Sequence, residues 1–148
     1  MKNRNKIILC SAFAGYVLLM LWLLFGQRMG MDLSTWRETY WVEFAQRINL
    51  IPMRTIAEFW NNLRGGGRSH AIINLFGNVV MFLPLGFFIP CVFPKVKNFR
   101  RSMFFAMGIL VCIESIQLVT LLGSMDIDDF ILNMIGTAIG YGVYDTQK

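Results

Sequence analysis

The stretch DIDDFILNMIGTAIGYGVY, residues 126–144, decides how the rest of the sequence is interpreted. Its uncharged part, Phe130–Tyr144, spans only about 22 Å as an α-helix, whereas a membrane core of roughly 30 Å needs about 20 helical residues. To cross a bilayer, the helix must tilt little, thin the bilayer or include Asp126–Asp129 in its outer turn, and we favour the last. Carboxylates at that depth are tolerated when they face protein or water rather than lipid.

Three further segments are apolar and long enough to cross a membrane as helices. They are Ile7–Phe25, Ala71–Pro94 and Ser102–Met125. The whole chain is 55% hydrophobic and 16% charged, whereas a soluble domain has about 25% charged residues. We therefore predict an all-α membrane protein, a four-helix transmembrane bundle that forms a single domain over residues 1–148. The four spans cover about residues 7–25, 71–94, 102–125 and 127–144.

Basic residues cluster in two places that the positive-inside rule assigns to the cytoplasm. Lys2, Arg4 and Lys6 precede the first span, and Lys95–Arg101 links the second span to the third. The link Gly123–Asp129 has no Lys or Arg. We predict a multi-pass protein with both termini in the cytoplasm. The net charge of +5 forms no single basic surface, so no nucleic-acid partner is expected.

The first outer loop, residues 26–70, contains a predicted amphipathic interfacial helix. Large apolar and aromatic side chains recur there every four residues, which is the spacing of one helix face and suits the membrane interface. These residues are Trp36, Tyr40, Phe44 and Ile48. The helix is expected to end before Pro52, because the residue before a proline avoids helical angles. A second short helix is predicted over residues 55–63.

Polar side chains from three spans are expected at similar depth, in the outer half of the membrane. Glu114 lies inside the third span, where a charge costs about 2.5 kcal/mol or more unless it faces the bundle interior. Gln117 follows on the same helix face. Because polar residues of the second and fourth spans reach the same depth, we predict an outward-facing ligand-binding pocket. Its predicted lining is Asn74, Asn78, Glu114, Gln117, Asp126, Asp128, Asp129 and Asn133.

Other roles for these residues stay open on the sequence alone. Glu114 and Gln117 could hydrogen-bond to neighbouring Asn side chains and hold the helices together. Asp126 or Asp128 could cap the fourth span. Asp126, Asp128 and Asp129 are also candidate oxygen ligands of a divalent cation, although no cofactor is predicted.

Six short motifs follow one another in order along the chain. They are Asn49-Leu-Ile-Pro52, Asn74-Leu-Phe-Gly-Asn78, Phe82-Leu-Pro84-Leu-Gly86-Phe87, Glu114-Ser-Ile-Gln117, Asp126-Ile-Asp128-Asp129 and Asn133-Met-Ile-Gly136, and Gly140-Tyr141 follows the last of them. This set resembles the VanZ-like family of bacterial membrane proteins, whose namesake is associated with reduced sensitivity to the lipoglycopeptide teicoplanin. The resemblance implies the bacterial cytoplasmic membrane and the same eight polar positions. Met53 and Arg54 depart from the Phe-Lys expected of the family.

The pocket and the resemblance together predict a protein that binds an envelope lipid, a lipid-linked cell-wall intermediate or a lipoglycopeptide, and that contributes to glycopeptide resistance. Arg28, Arg54 and Arg68 of the outer loop are candidate ligands of an anionic headgroup. One alternative is an intramembrane hydrolase or transferase with Glu114 as its general base, although no catalytic motif accompanies it. Another is an accessory or structural subunit.

Gly136 and Gly140 form a GxxxG pattern in the fourth span. Small residues at this spacing let another backbone approach closely. A homo-oligomer could therefore form through these two glycines, which is the partner that a structural role would require.

Overall fold

The computed structural model describes residues 3–26, 33–54, 57 and 68–147, and within them the side chains of 4–26, 39–54, 57 and 76–147. The described chain is predominantly α-helical, as predicted. The short helix predicted over residues 55–63 lies outside the described residues, except for Ala57.

Five α-helices and two very short strands run through the described residues. The helices are α1 (Asn3–Phe25), α2 (Leu33–Gln46), α3 (Arg68–Val92), α4 (Phe99–Val119) and α5 (Ile127–Asp145). A single 3-10 turn, Pro94–Val96, links α3 to α4. Strands β1 (Ile48–Asn49) and β2 (Met125–Asp126) pair in parallel, with Ile48 beside Met125.

Helix α5 begins within the acidic segment Asp126–Asp129, here called the acidic turn. Asp126 is its N-cap, and the Asp126 carboxylate accepts a hydrogen bond from the N–H of Asp128 at 2.8 Å. Asp128 and Asp129 lie in the first turn, where the positive end of the helix dipole stabilises negative charge. The helix has 19 residues, so it is about 28 Å long.

Two sequence-based boundaries were wrong, one because of the local geometry of a helix end and one because of a strand pairing. The third span was predicted to reach Met125, but α4 ends at Val119 and Met125 lies in β2. Leu121 adopts a φ of 54° and the N–H of Gly123 donates to the carbonyl of Gln117 at 3.2 Å, which closes the helix end. Ile48 was predicted on the face of the interfacial helix, but α2 ends at Gln46 and Ile48 pairs in β1.

Glycines let α3 and α5 pack backbone against backbone. A Cβ added at Gly136 would overlap the carbonyl oxygen of Val79, and one at Gly140 would overlap that of Leu83. From the other side, a Cβ at Gly86 would overlap a carbonyl oxygen of α5. The GxxxG pattern, predicted as the seam of a homo-oligomer, is therefore occupied by α3 of the same chain.

The buried core lies among α1, α3 and α4. It consists of Met20, Phe82, Leu85, Ile89, Ala106, Leu110 and Ile113. Two helices, Arg4–Phe25 and Phe99–Val119, are long and apolar enough to cross a membrane, and Phe76–Val92 is a shorter apolar helix. Together with the core, these helices hold the polar residues of α4 and α5 against α3.

We predict that Gly140→Ala lowers the free energy of unfolding in detergent by about 2 kcal/mol or more, and with it the thermal midpoint. The reason is that the added methyl group forces α3 and α5 apart. Gly142→Ala is the matched control on the same helix, since a Cβ at Gly142 meets nothing within 4 Å. Thermal unfolding of the two variants measures the difference. Equal midpoints would show that α3 and α5 do not touch at this glycine.

Candidate functional site

A cavity of about 400 Å³ lies between α1, α3, α4 and α5, near the end where α1 and α4 finish and α5 begins. One part of its wall is polar and is formed by Asn78, Glu114, Gln117, Asp129 and Asn133. The other part is apolar and is formed by Leu23, Leu24, Val80, Met81, Phe82 and Ile113. Gly77 and Ser124 complete the lining. The cavity therefore presents a polar and an apolar surface to the same space.

Two hydrogen bonds join the helices around the cavity. The Asn78 amide donates to the Asp129 carboxylate at 2.5 Å and connects α3 to α5. The Gln117 amide donates to the backbone carbonyl of Leu24 at 3.4 Å and connects α4 to α1. These contacts are the packing role that the sequence left open for the polar residues, and they also fix the shape of the wall.

Glu114 and Asn133 are the most deeply buried polar side chains of the wall. Glu114 is 5% exposed and Asn133 is 4% exposed, so both face the interior of the bundle. Within the described residues, the Oδ1 atom of Asn133 has no hydrogen-bond partner. Leaving a buried carbonyl oxygen without a donor costs roughly 1–3 kcal/mol. A ligand that supplies a donor to this oxygen would recover that cost.

Two apolar residues that line the cavity are also exposed at the surface of the bundle. Val80 lines it and is 63% exposed, and Leu23 on α1 lines it and is 40% exposed. Phe76, one turn before Val80 on α3, is also exposed. The apolar lining of the cavity therefore continues into the exposed apolar surface at Val80 and Leu23.

Asp126 and Asp128, predicted to line the pocket, do not line this cavity. Instead they hold the segment of residues 47–54, here called the outer strap, against the start of α5. The Asn49 amide donates to the Asp126 carboxylate at 3.1 Å, and the N–H of Met53 donates to the Asp128 carboxylate at 2.6 Å. Asp128 is fully buried by these contacts. The two aspartates are structural because they pair with the strap.

Two more hydrogen bonds fix the outer strap, one from a backbone N–H and one from the Arg47 side chain. The N–H of Met125 donates to the carbonyl of Arg47 at 2.8 Å, and the Arg47 guanidinium donates to the carbonyl of Gly123 at 3.3 Å. Met53 has a φ of 67°, in a region that non-glycine residues rarely adopt. The bond from its N–H to Asp128 holds it there.

The metal hypothesis for the acidic turn has no support in the geometry. Asp126, Asp128 and Asp129 contact three different groups, namely Asn49, the Met53 N–H and Asn78. In the part of the chain that the structure describes, no group of three or more His, Cys, Asp or Glu side chains is placed to hold a metal ion.

Five of the eight predicted pocket residues thus meet in one cavity, and two belong to the strap contact. The eighth, Asn74, lies on α3, but its side chain is outside the described residues, as are the side chains of Arg28 and Arg68. Arg54 lies in the strap and is exposed. Ser124 was missed, because a single serine in a loop carries no sequence signal.

Replacing Asn133 by leucine tests whether the packing of the helices needs this side chain. We predict that Asn133→Leu leaves the thermal midpoint in detergent unchanged or raises it, because removing an unpaired buried oxygen relieves a desolvation cost. Asn78→Leu is the matched control and lowers the midpoint, since it removes the donor to Asp129. A large loss of stability in Asn133→Leu would mean that Asn133 is a packing residue.

Comparison with known proteins supplies one match. The sequence model of the family described as VanZ/LLP1 matches residues 13–147. The matched range includes the outer strap and every residue that lines the cavity. No curated protein and no solved structure matches the chain.

Proposed function

This chain belongs to the VanZ/LLP1 family, and we propose that it is a multi-pass protein of the bacterial cytoplasmic membrane that binds the polar head of an amphiphile in the cavity at Glu114 and Asn133. The candidate ligands are an envelope lipid, a lipid-linked cell-wall intermediate and a lipoglycopeptide. The observation that carries the proposal is the cavity itself, in which polar and apolar walls face one space.

The surface of the helices supports a membrane location. Besides the two helices that are long and apolar enough to span a membrane, α3 and α5 expose large apolar side chains to their surroundings. Exposed side chains of this kind occur on all four long helices, and examples are Leu18, Trp22, Phe76, Val80, Phe104, Ile116, Ile135 and Ile139. A contiguous apolar exterior suits acyl chains better than water.

The proposed topology has four spans, α1, α3, α4 and α5, with both termini in the cytoplasm. It can be tested in a variant without Cys10, Cys91 and Cys112. In intact cells, a membrane-impermeable maleimide is expected to label Ile51→Cys in the outer strap. The same reagent is expected to label Gln147→Cys only after the cells are lysed. Labelling of Gln147→Cys in intact cells would overturn this topology.

Binding of an amphiphile follows from the two surfaces of the cavity. Carboxyl and amide groups at one side offer hydrogen bonds to hydroxyl, amine or amide groups of a headgroup. Val80 and Leu23, which line the cavity and are exposed, offer an acyl chain an apolar surface toward the surrounding lipid. Binding is proposed rather than catalysis, because among the described residues no nucleophile hydrogen-bonded to a base lines the cavity.

Contribution to teicoplanin resistance is the phenotype that the family resemblance suggests. We expect expression of the wild-type gene in a susceptible host to raise the inhibitory concentration of teicoplanin. Glu114→Gln is expected to abolish that rise, because the cavity loses its buried acid. Asp145→Asn also replaces a carboxylate by an amide, but at the end of α5 that lies far from the cavity, and this variant is expected to retain the rise. A fully active Glu114→Gln, expressed at the wild-type level, would remove Glu114 from the function.

The ligand class can be identified from the same residue. The full-length protein and Glu114→Ala are extracted into native nanodiscs, and the lipids in each preparation are compared by mass spectrometry. An envelope lipid enriched with the wild-type protein, and depleted in the variant, would identify the occupant of the cavity. Identical lipid contents would count against amphiphile binding at Glu114.

A further inference from the structure

A second cavity lies at the opposite end of the bundle. It has a volume of about 420 Å³ and is lined by Asn5, Leu9, Pro90, Cys91, Lys97 and Tyr144. These residues come from α1, α3, α5 and the turn between α3 and α4. Among the described residues that line it there is no carboxylate. This second cavity, here called the inner cavity, is therefore lined by a cationic side chain, whereas the cavity at Glu114 is lined by carboxyl groups.

Side chains of neighbouring helices hold the backbone of the turn that carries Lys97. The Tyr141 hydroxyl on α5 donates to the carbonyl of Lys97 at 2.8 Å. Next to it, the Ser102 hydroxyl, which is fully buried, donates to the carbonyl of Val96. Asn98 then caps α4 by accepting a hydrogen bond from the N–H of Arg100 at 3.0 Å. Lys97 is thus placed at the rim of the cavity before any ligand arrives.

The lining divides into a polar and an apolar part. Asn5, Lys97 and Tyr144 carry hydrogen-bond donors, and the Lys97 ammonium adds a positive charge. Leu9 and Pro90 form an apolar surface between α1 and α3. A donor-rich, cationic rim beside an apolar slot fits an anion that is attached to an acyl chain. Basic pockets between transmembrane helices bind lipid phosphates in this way.

We propose that this inner cavity is a binding site for an anionic phospholipid, in which Lys97 contacts the phosphate and an acyl chain lies along Leu9 and Pro90. The site is separate from the cavity at Glu114 and does not depend on its function.

The experiment uses the full-length protein in detergent, mixed with equal amounts of phosphatidylglycerol and phosphatidylcholine that have the same acyl chains. Native mass spectrometry then measures how much of each lipid the protein retains. The wild-type protein is expected to retain phosphatidylglycerol in preference. Lys97→Gln is expected to retain about tenfold less of it, as for the loss of one charge-assisted hydrogen bond.

Lys95→Gln is the matched control, because it removes the same charge from the same turn at a side chain that does not line the cavity. It is expected to change retention by less than about twofold, because its ammonium lies outside the cavity and is screened by solvent. Both lysines are exposed, so neither substitution removes a buried contact. Equal losses in the two variants would overturn the proposal, since they would show attraction to surface charge in general.

Two further arms separate the remaining outcomes. Inorganic phosphate at millimolar concentration is expected not to displace the lipid, and displacement would assign the cavity to a soluble anion and overturn the lipid proposal. No preference between the two lipids in the wild-type protein would overturn it as well. Glu114→Gln is measured in parallel, and a loss of phosphatidylglycerol equal to that of Lys97→Gln would assign the retained lipid to the cavity at Glu114 and overturn the proposal.

Discussion

The backbone contact between α3 and α5 is the constraint from which the rest of the structure follows. Because Gly136 and Gly140 have no Cβ, the two helices approach until carbonyl oxygens of α3 touch the glycine backbone. Asn78 immediately precedes Val79, one of the residues in this contact, so its amide is brought to 2.5 Å from Asp129. The part of the polar wall formed by Asn78 and Asp129 therefore follows from the glycine contact.

The acidic turn at the start of α5 serves two structures at once. Asp126 and Asp128 face the outer strap, whereas Asp129 faces α3 and the cavity. Each carboxylate accepts a hydrogen bond, which is what burial of a charged group requires. The helix dipole favours all three at this position. One short motif thus closes the outer end of the protein and supplies one acid to the cavity wall.

Features that depend on local chemistry could be predicted from the sequence. The apolar runs, the start of α5 at the acidic turn and the burial of Glu114 all follow from the cost of charge and unpaired backbone in an apolar environment. The pairing of β1 with β2 could not be predicted, because it depends on two segments far apart in the sequence. For the same reason, the sequence could not show that Asp126 and Asp128 hold the strap while Asp129 joins the cavity.

The pairing of the outer strap has a consequence for the order in which the protein matures. Asn49 and its partner Asp126 are separated by 77 residues, so most of the chain is synthesised before the strap finds its place. Until the start of α5 has been synthesised, the backbone groups of residues 47–54 that it pairs with have to be hydrogen-bonded elsewhere. The strap therefore takes its final place late in synthesis, and a chain truncated before Asp126 lacks the partners that hold it.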